Sequence, residues 1–380
     1  MMFVPNRHAI LTASALFRKS RKTGTASSAP SKDSVSCFNI WRRASALFAL
    51  CAFVAAGTYA QDRRATLALA YDSQTRGPVP IPASERSLQT VVAEPWFKVS
   101  DEGIVLEGPC FDRNDSLLFS DVSGGRVLRL TPDRRLSTVF SEKGLGPGGL
   151  AIHKDGRIFI AAVGDLKRPG SIIAVKPDGS GRQTIISPKA SYVPNDLVFD
   201  SRGGFYFTDF RGISTDPQGG VYYVSPEFKT ITPVLPHLAM ANGIALSPSG
   251  GQLWTTEFSR NLLHRVELEG PTKIAPIGTA IPYHFIGPAP DSMRADSDGN
   301  LYVAMYGQGR VLVFNRNGIP IGQVLLPGRD EGHNLESTSM AIKPGTNDLY
   351  IVTNDRNGGQ GATIFHAKVF AKALPLYSHQ

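Results

Sequence analysis

The sequence predicts an all-β chain folded as a six-bladed β-propeller, and three observations lead there. From about Thr90 onward, short runs rich in Leu, Val, Tyr, Phe and Trp alternate with Gly/Asp/Ser/Asn turns, and no long stretch keeps a 3.6-residue period. One pattern (short strand, polar turn, aromatic-rich strand) occurs six times, opening at Glu107, Gly148, Asn195, Asn242, Asp291 and Thr338. The intervals are 41, 47, 47, 49 and 47 residues, which suits a blade of three to four strands. Two stacked sandwiches would not explain a spacing held through six copies. A ring does, because no copy can bury its faces alone and closure removes most free sheet edges.

Before the repeats, residues 1–60 read as an export leader. Arg42 and Arg43 precede the apolar run "ASALFALCAFVAA", which is short for a membrane span, and "TYA" ends in small residues suited to cleavage before Gln61. The basic stretch before Trp41 is long for such a leader, as an early start codon or an uncleaved anchor would make it. A periplasmic or secreted location is therefore expected, with no membrane span in the mature chain. Residues 61–89 carry no pattern and are expected to form an extended segment, with the propeller over 90–380. Within it, "TVVAEPWFKVS" at 90–100 precedes the first full copy and is expected to supply a strand to the last blade.

Each copy then follows in order: "EGPCFDRNDSLLFSDV", "GGLAIHKDGRIFIAAV", "NDLVFDSRGGFYFTDF", "NGIALSPSGGQLWTTEF", "DSMRADSDGNLYVAMY" and "TSMAIKPGTNDLYIVTN". Further strand material follows most of them, such as "GRVLRLTP" and "GRVLVFNRNG".

Charge and cysteine content narrow the function classes. Of the net charge of +8, residues 1–60 contribute eight Lys/Arg against one acid, so the remainder is close to neutral and offers no case for a nucleic-acid partner. Cys37 and Cys51 lie in the leader, which leaves Cys110 alone. An intramolecular disulfide and a cysteine zinc site are thereby excluded from the mature chain, and Cys110 reads as a small buried apolar residue.

In a propeller the first strand of each blade lines the central channel, so the opening positions form a ring. Glu107, Asn195, Asn242 and Asp291 place two carboxylates and two carboxamides at one level. Any one of them would ordinarily cap a strand start, but four at one register converge as an oxygen cluster. Two anions in a partly dry channel repel each other unless a cation lies between them, and no Lys or Arg stands at the ring position. All-oxygen ligation favours Ca²⁺, with Mg²⁺ or Mn²⁺ as alternatives. A second ring, fourteen or fifteen residues on, holds Asp121, Asp209 and Glu257. These acids are expected either to support the ring, aiming the Asn195 and Asn242 amides, or simply to bond neighbouring backbone.

Other features read more simply. "DSDGN" at 296–300 lacks the twelfth-position glutamate of a calcium loop and suits a hairpin. "GQGR" at 307–310 lacks the strand–helix context of a dinucleotide site, and neither a G-x-S-x-G elbow nor an H-E-x-x-H pair occurs. His284 and His333 fall in connections that can reach a channel mouth.

The stretches "DLVFDSRGGFYFTDFRG", "GGVYYVSPEF", "ANGIALS", "DSDGNLYVAMYGQGRVLVFN" and "PGRDEGH" carry a resemblance. From about Thr90 the chain resembles the regucalcin/gluconolactonase (senescence marker protein) family, closest to its bacterial drug-responsive, calcium-dependent lactonase subgroup. The resemblance implies a six-bladed propeller that opens lactones, with Glu107, Asn195, Asn242 and Asp291 as metal ligands and Asp291 moving the proton. Ser292 also matches a residue credited with a metal contact, although strand alternation points it away from Asp291's side. The subgroup commonly has an acid where this chain has Asn195. Its second, structural calcium site is expected to be absent here, since Arg168, Pro169, Pro188 and Lys189 stand there and only Gly170 and Tyr192 match. The rival to a lactonase is an exported propeller that binds a ligand or protein, with calcium as a structural plug.

Overall fold

Six four-stranded antiparallel sheets follow one another along the chain of the computed structural model, which describes residues 75–380 together with 68, 70 and 71. The leader and most of the segment before Thr75 lie outside the described residues. Blade 1 comprises Leu106–Phe111, Leu117–Asp121, Arg126–Leu130 and Leu136–Ser141, and blade 2 runs from Pro147–Ile152 to Gln183–Ile186. Blade 3 spans Pro194–Phe199 to Ile231–Leu238, blade 4 Ala241–Leu246 to Ile274–His284, and blade 5 Pro290–Ala295 to Pro320–Leu325. Blade 6 takes Glu336–Ile342, Asp348–Asp355 and Gly361–Lys368 from the end of the chain. Each first strand packs on the first strand of the next blade, and that of blade 6 packs on that of blade 1, so the ring closes. This is the six-bladed propeller that the repeat spacing predicts.

The N-terminal stretch closes the ring at two places. Glu94–Ser100 runs antiparallel to Gly361–Lys368 as the outermost strand of blade 6. Gln89–Val92 pairs in parallel with Pro320–Leu325, adding a fifth strand to blade 5. Just before it, Glu85 enters the protein and meets Arg310 at 2.6 Å, both side chains being 1% exposed, while Tyr283 Oη donates to its other oxygen at 2.5 Å. A buried ion pair that loses one partner leaves a charge without compensation. Glu85→Ala is therefore expected to cost about 3–5 kcal/mol in urea unfolding, more than Arg310→Met in the same background as Glu85→Met.

Turns and aromatic residues explain the blades locally. Asp112, Asp200 and Asp296 each accept backbone N–H groups two and four residues ahead, which fixes the first hairpin of blades 1, 3 and 5. Asp296 also receives the Tyr302 hydroxyl, so "DSDGN" is a hairpin turn. Aromatic side chains of successive blades interlock between the sheets, as Phe159 of blade 2 does with Phe199 and Phe205 of blade 3. Among the described residues, no helix is long and apolar enough to cross a membrane.

Candidate metal centre

The ring begins where each inner strand breaks its register. In blades 2 to 5 three steps along the inner strand oppose two on its neighbour: Pro147–Leu150, Pro194–Leu197, Ala241–Ile244 and Pro290–Met293. One extra residue therefore sits at the ring in each, as a β-bulge. A bulge cancels the alternation of side chains, and its effect is plainest at Asp291–Ser292. Asp291 is 5% and Ser292 0% exposed, and Ser292 Oγ donates to Glu107 Oε2 across the channel at 3.3 Å. The expectation that alternation turns Ser292 away from the ring is corrected: the bulge turns it inward, beside Glu107.

Hydrogen bonds hold the carboxylates of the ring in place. Glu107 Oε2 also accepts the Gly108 N–H at 2.8 Å. The Asn242 side chain donates to the Asp291 carboxylate, while Asn242 Oδ1 is buried without a hydrogen-bond partner. Burial pushes the Glu107 carboxyl up to about 7, against the Gly108 N–H, which lowers it. Asp291 is raised well above the usual carboxylate range, first by burial and then by the charge of Glu107. Asn195, at the adjacent ring position, is partly exposed. No three His, Cys, Asp or Glu side chains cluster as a metal site among the described residues, since the ring mixes acids with amides.

The close approach of the strands leaves no room for side chains at some positions. A Cβ on Gly243 would lie 2.6 Å from both the Asp291 carbonyl oxygen and the Met293 nitrogen. Buried hydroxyls of the second strands bridge the bulges from behind. Thr208 Oγ1 accepts the Asp196 N–H at 3.0 Å and donates to the Asn242 carbonyl of the next blade at 2.6 Å. Thr256 Oγ1 accepts the Gly243 N–H and donates to the Asp291 carbonyl, both at 2.7 Å. These hydroxyls do not stand out in the sequence, because Thr is ordinary in a strand. Their recurrence one place before the second-ring acids was the available signal. Thr256→Val removes both bonds without changing shape and is expected to cost about 1–3 kcal/mol in denaturant unfolding.

The second-ring acids do something else. Asp209 pairs in register with Pro194 and Glu257 with Ala241, one residue before each ring position. Asp209 accepts the Val193 N–H at 2.9 Å and holds Arg211, and Glu257 accepts the Ala239 N–H at 2.8 Å and meets His264. Asp121 receives the N–H of Gly124 and the Arg126 guanidinium. Of the two roles open to these acids, bonding of neighbouring backbone is the one observed: Asp209 and Glu257 tie down the loop that enters each inner strand, and Asp121 ties its own turn. The bulge is the reason, since it moves the ring residue one place beyond their reach.

Elsewhere, Cys110 is buried and its thiol pushed up to about 12 by burial, so it stays protonated. His333 bonds Asp355 at 3.0 Å, and His284 ends the last strand of blade 4 on an exposed site.

As a donor set, the ring offers two buried carboxylates that repel, an amide oxygen with no partner and an adjacent hydroxyl. Arg294 acts electrostatically on Glu107, but its Nη1 is committed to Asp196 at 2.8 Å. Such a site lacks positive charge, and a hard divalent cation fits its oxygens.

Comparison with known proteins places the chain. The model of the SMP-30/gluconolactonase/LRE-like region matches residues 105–355. The protein named lactonase drp35 from Staphylococcus saprophyticus is 51% identical over 313 residues, covering 81% of this chain and 97% of the relative. Its namesake from Staphylococcus aureus (strain USA300) is 49% identical over 316 residues, covering 82% and 97%. Among solved structures, the calcium-binding protein regucalcin from Agrobacterium tumefaciens superposes with a TM-score of 0.63 at 17% identity, covering 76% of this chain and 99% of that one. A gluconolactonase from Xanthomonas campestris gives a TM-score of 0.59 at 19% identity, covering 78% and 97%. With a family model matching well over half its length and relatives near half-identical over about four fifths of it, the chain belongs to the SMP-30/gluconolactonase/LRE-like family.

Proposed function

We propose that the protein is a calcium-dependent lactonase whose ring, Glu107, Asn195, Asn242 and Asp291 with Ser292 beside them, holds Ca²⁺ or a related divalent ion and opens small-molecule lactones. Lactone hydrolysis is supported by the kinship with proteins named lactonase. The observation that carries the metal is the buried Asn242 Oδ1, without a hydrogen-bond partner in a ring whose Glu107 and Asp291 carboxyls are both raised by burial, Asp291 also by the Glu107 charge. The chemistry that a bound Ca²⁺ would supply is polarisation of the lactone carbonyl and stabilisation of the negative charge that develops on it.

The chain's own residues supply the rest. Asp291 takes the proton of the attacking water or delivers one to the departing ring oxygen. Burial and the Glu107 charge favour its protonated form, and the Asn242 side-chain donor favours the ionised form, so the carboxyl sits between opposing influences. The Thr256 hydroxyl fixes the Asp291 backbone, which keeps the carboxyl from swinging away. Ser292 anchors Glu107 on the opposite side of the channel.

The test is a panel of lactones, with an ester and an organophosphate triester included, assayed with Ca²⁺ and after chelation. Turnover of a lactone that chelation abolishes and Ca²⁺ restores is the expected result. No turnover of any member, with calcium bound and the fold intact, would replace this reading with a non-catalytic binding propeller.

A further inference from the structure

Three residues past each ring position the inner strands carry Cys110, Ala151, Val198, Ala245, Arg294 and Ala341. Five of these six are small or apolar, and all six line a cavity of about 460 Å³ at the end of the channel opposite the strand starts. The space exists because three of the positions are alanine. Its volume lies in the range of small-molecule sites. The C-terminal segment crosses this end. Ala373 bridges to Asp296 of blade 5, Arg113 of blade 1 donates to the Ser378 carbonyl, and the Tyr377 ring lies 5.4 Å from Phe199 of blade 3. Leu374, Leu376 and Tyr377 thereby join the cavity wall.

Arg294 is the one charged side chain among the six. Its Nη1 donates to Asp196 Oδ2 at 2.8 Å and to the Met293 carbonyl at 2.6 Å. Nε and Nη2 have no protein acceptor among the described residues, and the side chain, 19% exposed, lines the cavity. Guanidinium donors without a protein partner on the wall of a cavity call for an acceptor, and a carboxylate matches two adjacent N–H groups; Asp200, Arg202 and Glu269 also reach the lining, but Arg202 already faces Asp200 at 3.4 Å. Asp196, fully buried, already offsets one unit of charge. A second anion there is best tolerated when singly charged, which disfavours phosphate dianions. The alanine, valine and leucine walls suit a hydrocarbon body.

We propose that this cavity is a binding site for a small amphipathic monocarboxylic acid, its carboxylate on Arg294 Nε and Nη2 and its hydrocarbon body against the inner-strand alanines. The site is separate from the ring and stands whether or not the protein is a lactonase.

Calorimetry of the full chain with octanoate, in chelator and again with Ca²⁺, tests it. One octanoate per chain is expected under both conditions, with octanamide at least tenfold weaker because it lacks the charge. Arg294→Met should weaken octanoate at least tenfold. Ala151→Leu, which fills the space and keeps Arg294, should do the same while melting like the parent protein. Octanamide binding as tightly as octanoate, or undiminished octanoate affinity in a well-folded Ala151→Leu, would overturn the proposal. If Arg294→Met does not fold, the octanamide and Ala151→Leu comparisons decide.

Discussion

Replacing Asp291 with asparagine should lower lactone turnover by about 10²–10⁴-fold while leaving the propeller folded. The substitution keeps the size of the side chain and an oxygen that can still accept from the Asn242 side chain, but it cannot exchange a proton. In metal-free protein the same change removes one of two repelling buried acids, Glu107 being the other. The variant should therefore melt higher than the parent in chelator at neutral pH, even as turnover collapses. A structural plug behaves differently, since losing a ligand would weaken metal binding and leave no reaction to lose. Wild-type turnover in Asp291→Asn would remove this residue from the mechanism.

The second large effect is a reversal in how stability depends on pH when the metal is removed. The Glu107 carboxyl goes from an ordinary value of 4.5 to about 7 in the folded protein. Between those values the folded state holds a proton that the unfolded chain releases. Stability of the metal-free protein is therefore greatest below about pH 4.5 as far as this group is concerned, falls as pH rises, and levels off above about 7. A shift of this size corresponds to about 3 kcal/mol, and Asp291, raised for the same reasons, acts in the same direction. Saturating Ca²⁺ should reverse the trend, because the carboxylates must be ionised to bind it and the gain from metal grows with pH. Thermal melts from pH 5 to 8, in chelator and in Ca²⁺, measure both slopes. Glu107→Gln should flatten the chelator series and weaken calcium binding in calorimetry. A chelator series that rises with pH in the parent and is unchanged in Glu107→Gln would contradict the buried, repelling pair.

Much of the architecture was legible because a propeller is written locally. Each blade needs strands, turn residues such as Asp112, Asp200 and Asp296, and aromatic residues facing the neighbouring sheet, and these recur at a countable spacing. The candidate ring was legible for the same reason. Once the copies are aligned, Glu107, Asn195, Asn242 and Asp291 fall at one position, whatever their distances in space. A single cause misplaces Ser292 and decides between the two roles open to the second-ring acids. Strand alternation assumes an unbroken ladder, and one inserted residue per inner strand turns Ser292 toward Glu107 while leaving Asp209 and Glu257 with the entering loops.

The six repeats, the closure they require and the identity of the polar side chains that share a level follow from the chain's own periodicity. Those are properties of periodic, short-range patterns, and burial of alternating faces enforces them. How that level is built depends on packing across the ring: the bulges, the Thr208 and Thr256 hydroxyls tied to the next blade, and the Arg294–Asp196 pair beneath the ring. Arg294 and Asp196 are 98 residues apart, and Ser292 and Glu107 are 185 apart. Such contacts exist only once loop closure has brought distant strands together, so no residue's own stretch of sequence names its partner.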